Sequence, residues 1–187
     1  LYHGRVKEAR SFVEFLCYVS SFPQLVAGPI VRYIEIRDQL ARPHVTRDML
    51  ELGIFIFVMG LAKKALIADS LEPLASLVFD GNSVETALMT LAGVGAYTLQ
   101  LYFDFSGYSE MAIGLGLMLG FRFPQNFNSP YKARTARDFW RRWHMTLSNW
   151  FRDYLYIPLG GNRHGMLNKH RNLLLTMALV GLWHGAG

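Results

Sequence analysis

Apolar, uncharged blocks alternate along this chain with short charged clusters. No run sustains the two-residue alternation of a half-buried strand. The pattern predicts an all-α protein. A helix that crosses a bilayer needs about 20 mainly apolar residues, and several stretches approach that length. Residues 15–31 are uncharged, but Pro23 and Pro29 divide them, so they read as two short helices or one broken span. Leu52–Ala62 is strongly apolar and stops at Lys63 and Lys64, whose long stems can snorkel to a headgroup layer. Thr86–Phe103 is the cleanest stretch, eighteen uncharged residues between Glu85 and Asp104. Phe105–Phe121 carries only Glu110, and Asn172–Gly187 is uncharged apart from any proton on His184.

Turn chemistry separates these blocks. Asp80-Gly81-Asn82-Ser83 reads as a loop, because these residues tolerate positive φ or bond their own backbone. Pro124–Pro130 reads as an extended, Asn-rich connection, and Pro158-Leu159-Gly160-Gly161-Asn162 ends the element before it. Thr135 opens a helix with Asp138 three residues on, close to a capping box. From Trp140 onward, Trp140, Trp143, Leu147, Trp150, Phe151 and Tyr154 recur at helical spacing and form one aromatic stripe. Such a helix lies at a membrane interface or packs on a soluble core, and the flanking apolar runs favour the interface.

Composition narrows the class. Of 187 residues, 51% are hydrophobic and only 18% charged, which excludes a disordered chain. The single cysteine, Cys17, excludes a disulfide scaffold, and no repeat points to a solenoid or coiled coil. The net charge of +5 is concentrated. Residues 122–171 hold ten Lys/Arg against two acids, Asp138 and Asp153, a local charge of +8. Between apolar runs, such a segment reads as a cytoplasmic juxtamembrane face and not as a nucleic-acid surface. The chain opens on Leu1 and closes directly after an apolar run, without a signal peptide. That predicts an internal piece of a longer protein.

Few residues suit chemistry. His184 stands in Leu182-Trp183-His184-Gly185-Ala186 near the end of an apolar helix. An ionisable ring there is costly unless it has a partner or a task, and its small neighbours leave room beside it. It is a catalytic candidate or a structural histidine satisfied by another helix. His144 falls at the edge of the aromatic stripe and gains interest beside His184, because imidazole is the commonest acid/base group near neutral pH. Asp104 and Glu110 flank a Phe105–Tyr108 turn, and either line a polar cavity or mark a membrane boundary. Gly107-Tyr108-Ser109-Glu110-Met111 misses the nucleophile elbow by its last residue. Gly116-x-x-x-Gly120 reads as close helix packing, not as a dinucleotide loop. His164 and His170 are six apart with no cysteine nearby, a poor zinc set, so no metal site is expected.

Several long blocks occur together: Tyr102-Phe103-Asp104-Phe105-Ser106-Gly107-Tyr108-Ser109, Gly120 through Phe127, Asp138 through Ser148, Trp150 through Gly161, and Gly181 through Ala186. Gln24 through Ile30 also fits. In this order they resemble the membrane-bound O-acyltransferase family, specifically the bacterial branch that acts in alginate O-acetylation. The resemblance covers nearly the whole chain. It implies a polytopic integral membrane protein of the bacterial inner membrane, a helical bundle with interfacial and re-entrant helices around a tunnel. Residues 1–187 would be one catalytic-core fragment, without the helices that precede and follow it. The implied reaction moves an acetyl group from a cytoplasmic acyl thioester, acetyl-CoA or an acyl carrier, to a hydroxyl of an exported polysaccharide, with no permanently bound cofactor. The implied partners are membrane lipid, the polysaccharide and periplasmic O-acetylation proteins. The family's near-invariant histidine matches His184, and a second histidine typical of this branch matches His144. We expect His184 to be the general base and His144 to share or position the proton. Teichoic acid, cellulose or peptidoglycan are alternative acceptors. A transporter with Asp104, Glu110 and His184 as a proton relay is the alternative from another class.

Overall fold

The computed structural model describes residues 9–24, 28–79, 86–163 and 165–185. The expected Asp80–Ser83 loop, residues 25–27 of the earliest motif, His164 and Ala186 lie outside the described residues. Every regular element among the described residues is helical, as the pattern predicts. The chain divides into two compact units, residues 1–125 and 126–187.

The first unit begins with α1 (Phe12–Val19), capped by the Ser11 hydroxyl, which accepts from Glu14 N at 3.1 Å. A single 3-10 turn (Phe22–Gln24) holds Pro23, and α2 follows at Tyr33–Ala41. The prolines therefore break the 15–31 run into short pieces, one of the two readings above. Tyr18 joins those pieces. Its hydroxyl donates to Val31 O at 2.9 Å, and its ring meets Tyr33 edge-on at 5.4 Å. Val31, Ile36 and Phe123 form a small apolar core here, with Leu40, Ile113 and Phe121 against it.

Two long helical rods dominate the unit. The first is α3 (Arg47–Ala62), continued through a widened π turn (Lys63–Ala68) into α4 (Asp69–Phe79). The second is α5 (Ala87–Met118), 32 residues capped by Thr86. Glycines set their closest approach. A Cβ on Gly60 would lie 2.5 Å from Gly107 O, and one on Gly53 would lie 2.8 Å from Gly114 O. Seven residues up one helix match seven down the other, so the rods are antiparallel. Small residues take many of the buried positions along the rods (Ala68, Ala75, Ala96, Ser106, Ser109 and Ala112), while Leu66, Leu88 and Leu91 are among many large apolar side chains that face outward. Helices that pack within lipid use small residues at their seams in this way.

Three expectations change here. Thr86–Phe103 and Phe105–Phe121 are not two elements, because α5 runs through Asp104 and Glu110 without a turn. The charges do not stop the helix because each is neutralised: Lys63 pairs with Glu110, and Lys64 donates to Asp104 at 2.6 Å and to Asp69 at 3.2 Å. The same pairs show that Lys63 and Lys64 reach a neighbouring helix and not a headgroup layer. The Gly116/Gly120 pair is not the helix-packing site either. Gly120 takes φ +88° and ends α5 with paired bonds, Gly120 N to Leu117 O and Phe121 N to Gly116 O. That is the αL stop for which glycine is suited. Among the described residues no helix is long and apolar enough to cross a membrane. In α5 the length suffices, about 48 Å, but Gln100, Asp104, Ser106, Ser109 and Glu110 interrupt the apolar sequence.

The second unit carries α6 (Ala136–Trp140), α7 (Met145–Phe151), a π turn (Arg152–Tyr156) and α8 (Gly165–Gly185). The Pro124–Pro130 stretch is irregular up to a 3-10 turn at Pro130–Lys132, and Thr135 caps Asp138 N at 3.1 Å, both as expected. The single helix expected from Thr135 through Tyr154 is instead broken at Arg141–His144. The irregular segment competes for the backbone there: Asn128 N donates to Arg142 O at 2.9 Å and Met145 N to Asn126 O at 2.8 Å. The one aromatic stripe becomes two clusters. Trp143 stacks with Phe139 and meets Phe127 edge-on at 5.1 Å. Trp150 packs with Phe151 and Tyr154. Buried Asn172 on α8 donates to Gly161 O at 3.1 Å, which fixes α8 to the glycine turn before it.

Candidate functional site

Both candidate histidines belong to the second unit. His184 is exposed near the C-terminal end of α8. Its Nδ1 lies 2.9 Å from Val180 O. A carbonyl can only accept, so Nδ1 carries the hydrogen, and the neutral ring keeps its lone pair on Nε2. The ring stands edge-on to Trp183 at 4.6 Å, and Trp183 in turn meets Phe151 of α7. A Cβ on Gly181 or Gly185 would meet nothing within 4 Å.

His144 is not on a helix face. It is the residue before α7, in the left-handed region at φ 40° and ψ 57°. A side chain with a Cβ is held there at a cost on the order of 1–2 kcal/mol. Such strain persists only where the surroundings impose it. Here the flanking bonds from Met145 N and Thr146 N to Asn126 do so. Burial pushes the His144 imidazole down from its ordinary 6.5 to about 4, and a charge on His184 would push it the same way. The two rings therefore share one electrostatic neighbourhood, and His144 is neutral at pH 7.

An exposed imidazole whose Nδ1 is bonded to the backbone, in the same unit as a second imidazole kept neutral, can take a proton from an alcohol at Nε2. The other candidates are placed differently. Asp104 and Glu110 are in the first unit, each bonded to a lysine, and mid-helix instead of beside a turn. His170 Nδ1 is tied to Met166 O at 2.8 Å. Ser109, at the near-elbow, is buried within α5.

The sequence reading missed Asn126 and Thr146. Asn126 is 0% exposed, and its Oδ1 accepts from Thr146 Oγ1 at 2.6 Å and from Thr146 N at 3.3 Å. The available signal was an uncharged polar residue between Pro124 and an aromatic block.

Residues 5–187 match the membrane-bound O-acyltransferase (MBOAT) family. The chain belongs to that family of helical membrane enzymes. It is 52% identical over 186 residues to "Probable alginate O-acetylase AlgI" of Azotobacter vinelandii, covering 100% of this chain and 37% of that protein. It is 48% identical to the peptidoglycan O-acetyltransferase of Helicobacter pylori, over 94% of this chain and 34% of the relative. The teichoic acid D-alanyltransferase of Bacillus subtilis is 29% identical over 97% of this chain and 49% of its own length. The chain thus spans between about a third and a half of these relatives.

Proposed function

We propose that this chain is the catalytic core of a membrane O-acetyltransferase that modifies an exported polysaccharide, with alginate as the acceptor. One observation carries the reading: His144 and His184 lie in the same unit, close enough for charge on one to depress the other, with Nδ1 of His184 bonded to Val180 O so that Nε2 is the nitrogen left to face a substrate. In the reaction, Nε2 of His184 accepts the proton of a sugar hydroxyl while its oxygen attacks the carbonyl of an acetyl thioester. The C–S bond breaks, the thiolate leaves, and the imidazolium returns the proton to the sulfur. His144, neutral and half-buried, orients or shares that proton. A thioester is electrophilic enough for this transfer without a metal.

Outward-facing leucines and small-residue seams support a multi-pass protein of the bacterial inner membrane, surrounded by lipid. The +8 stretch, residues 122–171, supports a cytoplasmic face that receives acetyl-CoA or an acyl carrier. A periplasmic partner protein would either relay the acetyl group or help deliver the acceptor. Identity to alginate O-acetylases favours alginate over the peptidoglycan and teichoic acid of the other relatives. Ion pairing of Asp104 and Glu110 disfavours a transporter, whose relay would need them free to titrate.

The test uses full-length protein in sealed vesicles, acetyl-labelled CoA outside and de-acetylated alginate within, with and without periplasmic extract. The expected result is label in base-labile ester on the polymer. Label that crosses the membrane without forming an ester would overturn the reading in favour of transport.

A further inference from the structure

We propose that Asn126 is a positioning residue for the reaction, holding His144 in its left-handed turn through Thr146 and Met145. The inference rests on the acyl-transfer reading above. The residues form a closed clamp. The Asn126 carbonyl accepts from Met145 N at 2.8 Å, and its side-chain oxygen accepts from both Thr146 N and Thr146 Oγ1. These are the two residues that follow His144, so one asparagine fixes the backbone immediately after the strained position. Both Asn126 and Thr146 are buried, so water does not compete for these bonds. The clamp is also local. Asn128 N bonds Arg142 O two residues before His144, so the irregular segment grips the turn on both sides.

Without the clamp, the cheapest response is for residue 144 to leave the left-handed region and for α6 and α7 to merge into the continuous helix that their sequence favours. The 3.6-residue periodicity from Trp140 to Tyr154 makes that alternative real. The merged helix would turn the imidazole onto a different face. A catalytic group misplaced by about 1 Å can lose on the order of 100-fold in rate. The asparagine therefore selects one of two backbone conformations and acts on the chemistry through His144 without touching the reacting atoms.

The test compares Asn126→Ala, Asn126→Asp, Thr146→Val, Thr146→Ser and the double variant Asn126→Ala/Thr146→Val in full-length enzyme, with acetyl-CoA and de-acetylated alginate. His144→Gln is measured beside them. Asn126→Ala and Thr146→Val are expected to lower kcat about 10- to 100-fold with the KM for acetyl-CoA within about twofold. The double variant should be no worse than the weaker single variant, because both break one clamp. Asn126→Asp and Thr146→Ser, which keep the acceptor and the hydroxyl, should recover most of the loss. Unchanged kcat in Thr146→Val, losses that multiply in the double variant, or losses that fall on KM would overturn the proposal. Should Asn126→Ala fail to accumulate, the Thr146→Val and Thr146→Ser pair decides alone. Wild-type kcat in His144→Gln would remove His144 from the reaction and overturn the proposal, whereas no acetyl transfer by the unmutated enzyme would remove the acyl-transfer reading on which it rests. Impaired His144→Gln beside unimpaired Thr146→Val would remove only the clamp.

Discussion

The two units differ in what their ionisable groups meet. In the first unit, Lys63, Lys64, Asp69, Asp104 and Glu110 gather at the π turn between α3 and α4, where the two lysines pair with three acids, two of them across the seam on α5. The second unit holds the two candidate histidines. His184 turns its Nδ1 to Val180 O, and burial lowers the pKa of His144. Paired charges in an apolar setting hold helices in register. A ring whose Nδ1 is taken by a backbone carbonyl presents Nε2 for proton transfer. The contrast teaches that charge count along an apolar sequence says little about function until the pairing is known.

The largest expected effect is structural. Gly107→Leu or Gly60→Leu should abolish accumulation of the protein in the membrane, because the new Cβ alone would stand 2.6 Å or 2.5 Å from a backbone carbonyl oxygen that cannot yield. Normal levels of either variant by immunoblot would show that α3 and α5 do not pack as described. Next is the charge seam. Glu110→Ala leaves Lys63 uncompensated and should destabilise the protein by about 2 kcal/mol or more, whereas Lys63→Met/Glu110→Leu should restore most of that. Activity per molecule should stay near wild type in the double variant. A loss of turnover at full abundance would move these groups from architecture to chemistry.

The smallest effect concerns pH. Folded His144 takes a proton only near pH 4, while an unfolded histidine takes one near 6.5. Between these values the unfolded chain binds more protons, so acidification from 6.5 toward 4 lowers stability. The melting temperature of detergent-solubilised protein should fall across that window, and His144→Gln should flatten part of the fall. An identical slope in the variant would mean that His144 is not buried as described.

Helical class, the proline break before Pro29, the Thr135 cap and the irregular Pro124–Pro130 stretch were legible because each depends on nearby residues. The long α5 was not, because Asp104 and Glu110 look like a boundary until Lys64 and Lys63, some forty residues earlier, are seen against them. Likewise, helical spacing around Trp143 favours one continuous helix, and the bonds to Asn126 and from Asn128 break it. His184 was legible as a lone ionisable ring among small and apolar residues. The left-handed backbone of His144 was not, because tertiary bonds impose it.

The central claim is that His184 supplies the base. The direct measurement is acetyl ester per sugar in polysaccharide from cells whose only copy of the full-length enzyme carries His184→Gln, normalised to enzyme in the membrane. Glutamine keeps polarity and similar reach but has no basic nitrogen. General-base help is worth about 10²–10⁴-fold, so acetylation should fall about 100-fold or more with the protein at normal level. Wild-type acetylation in that strain would contradict the account and pass the catalytic role to His144.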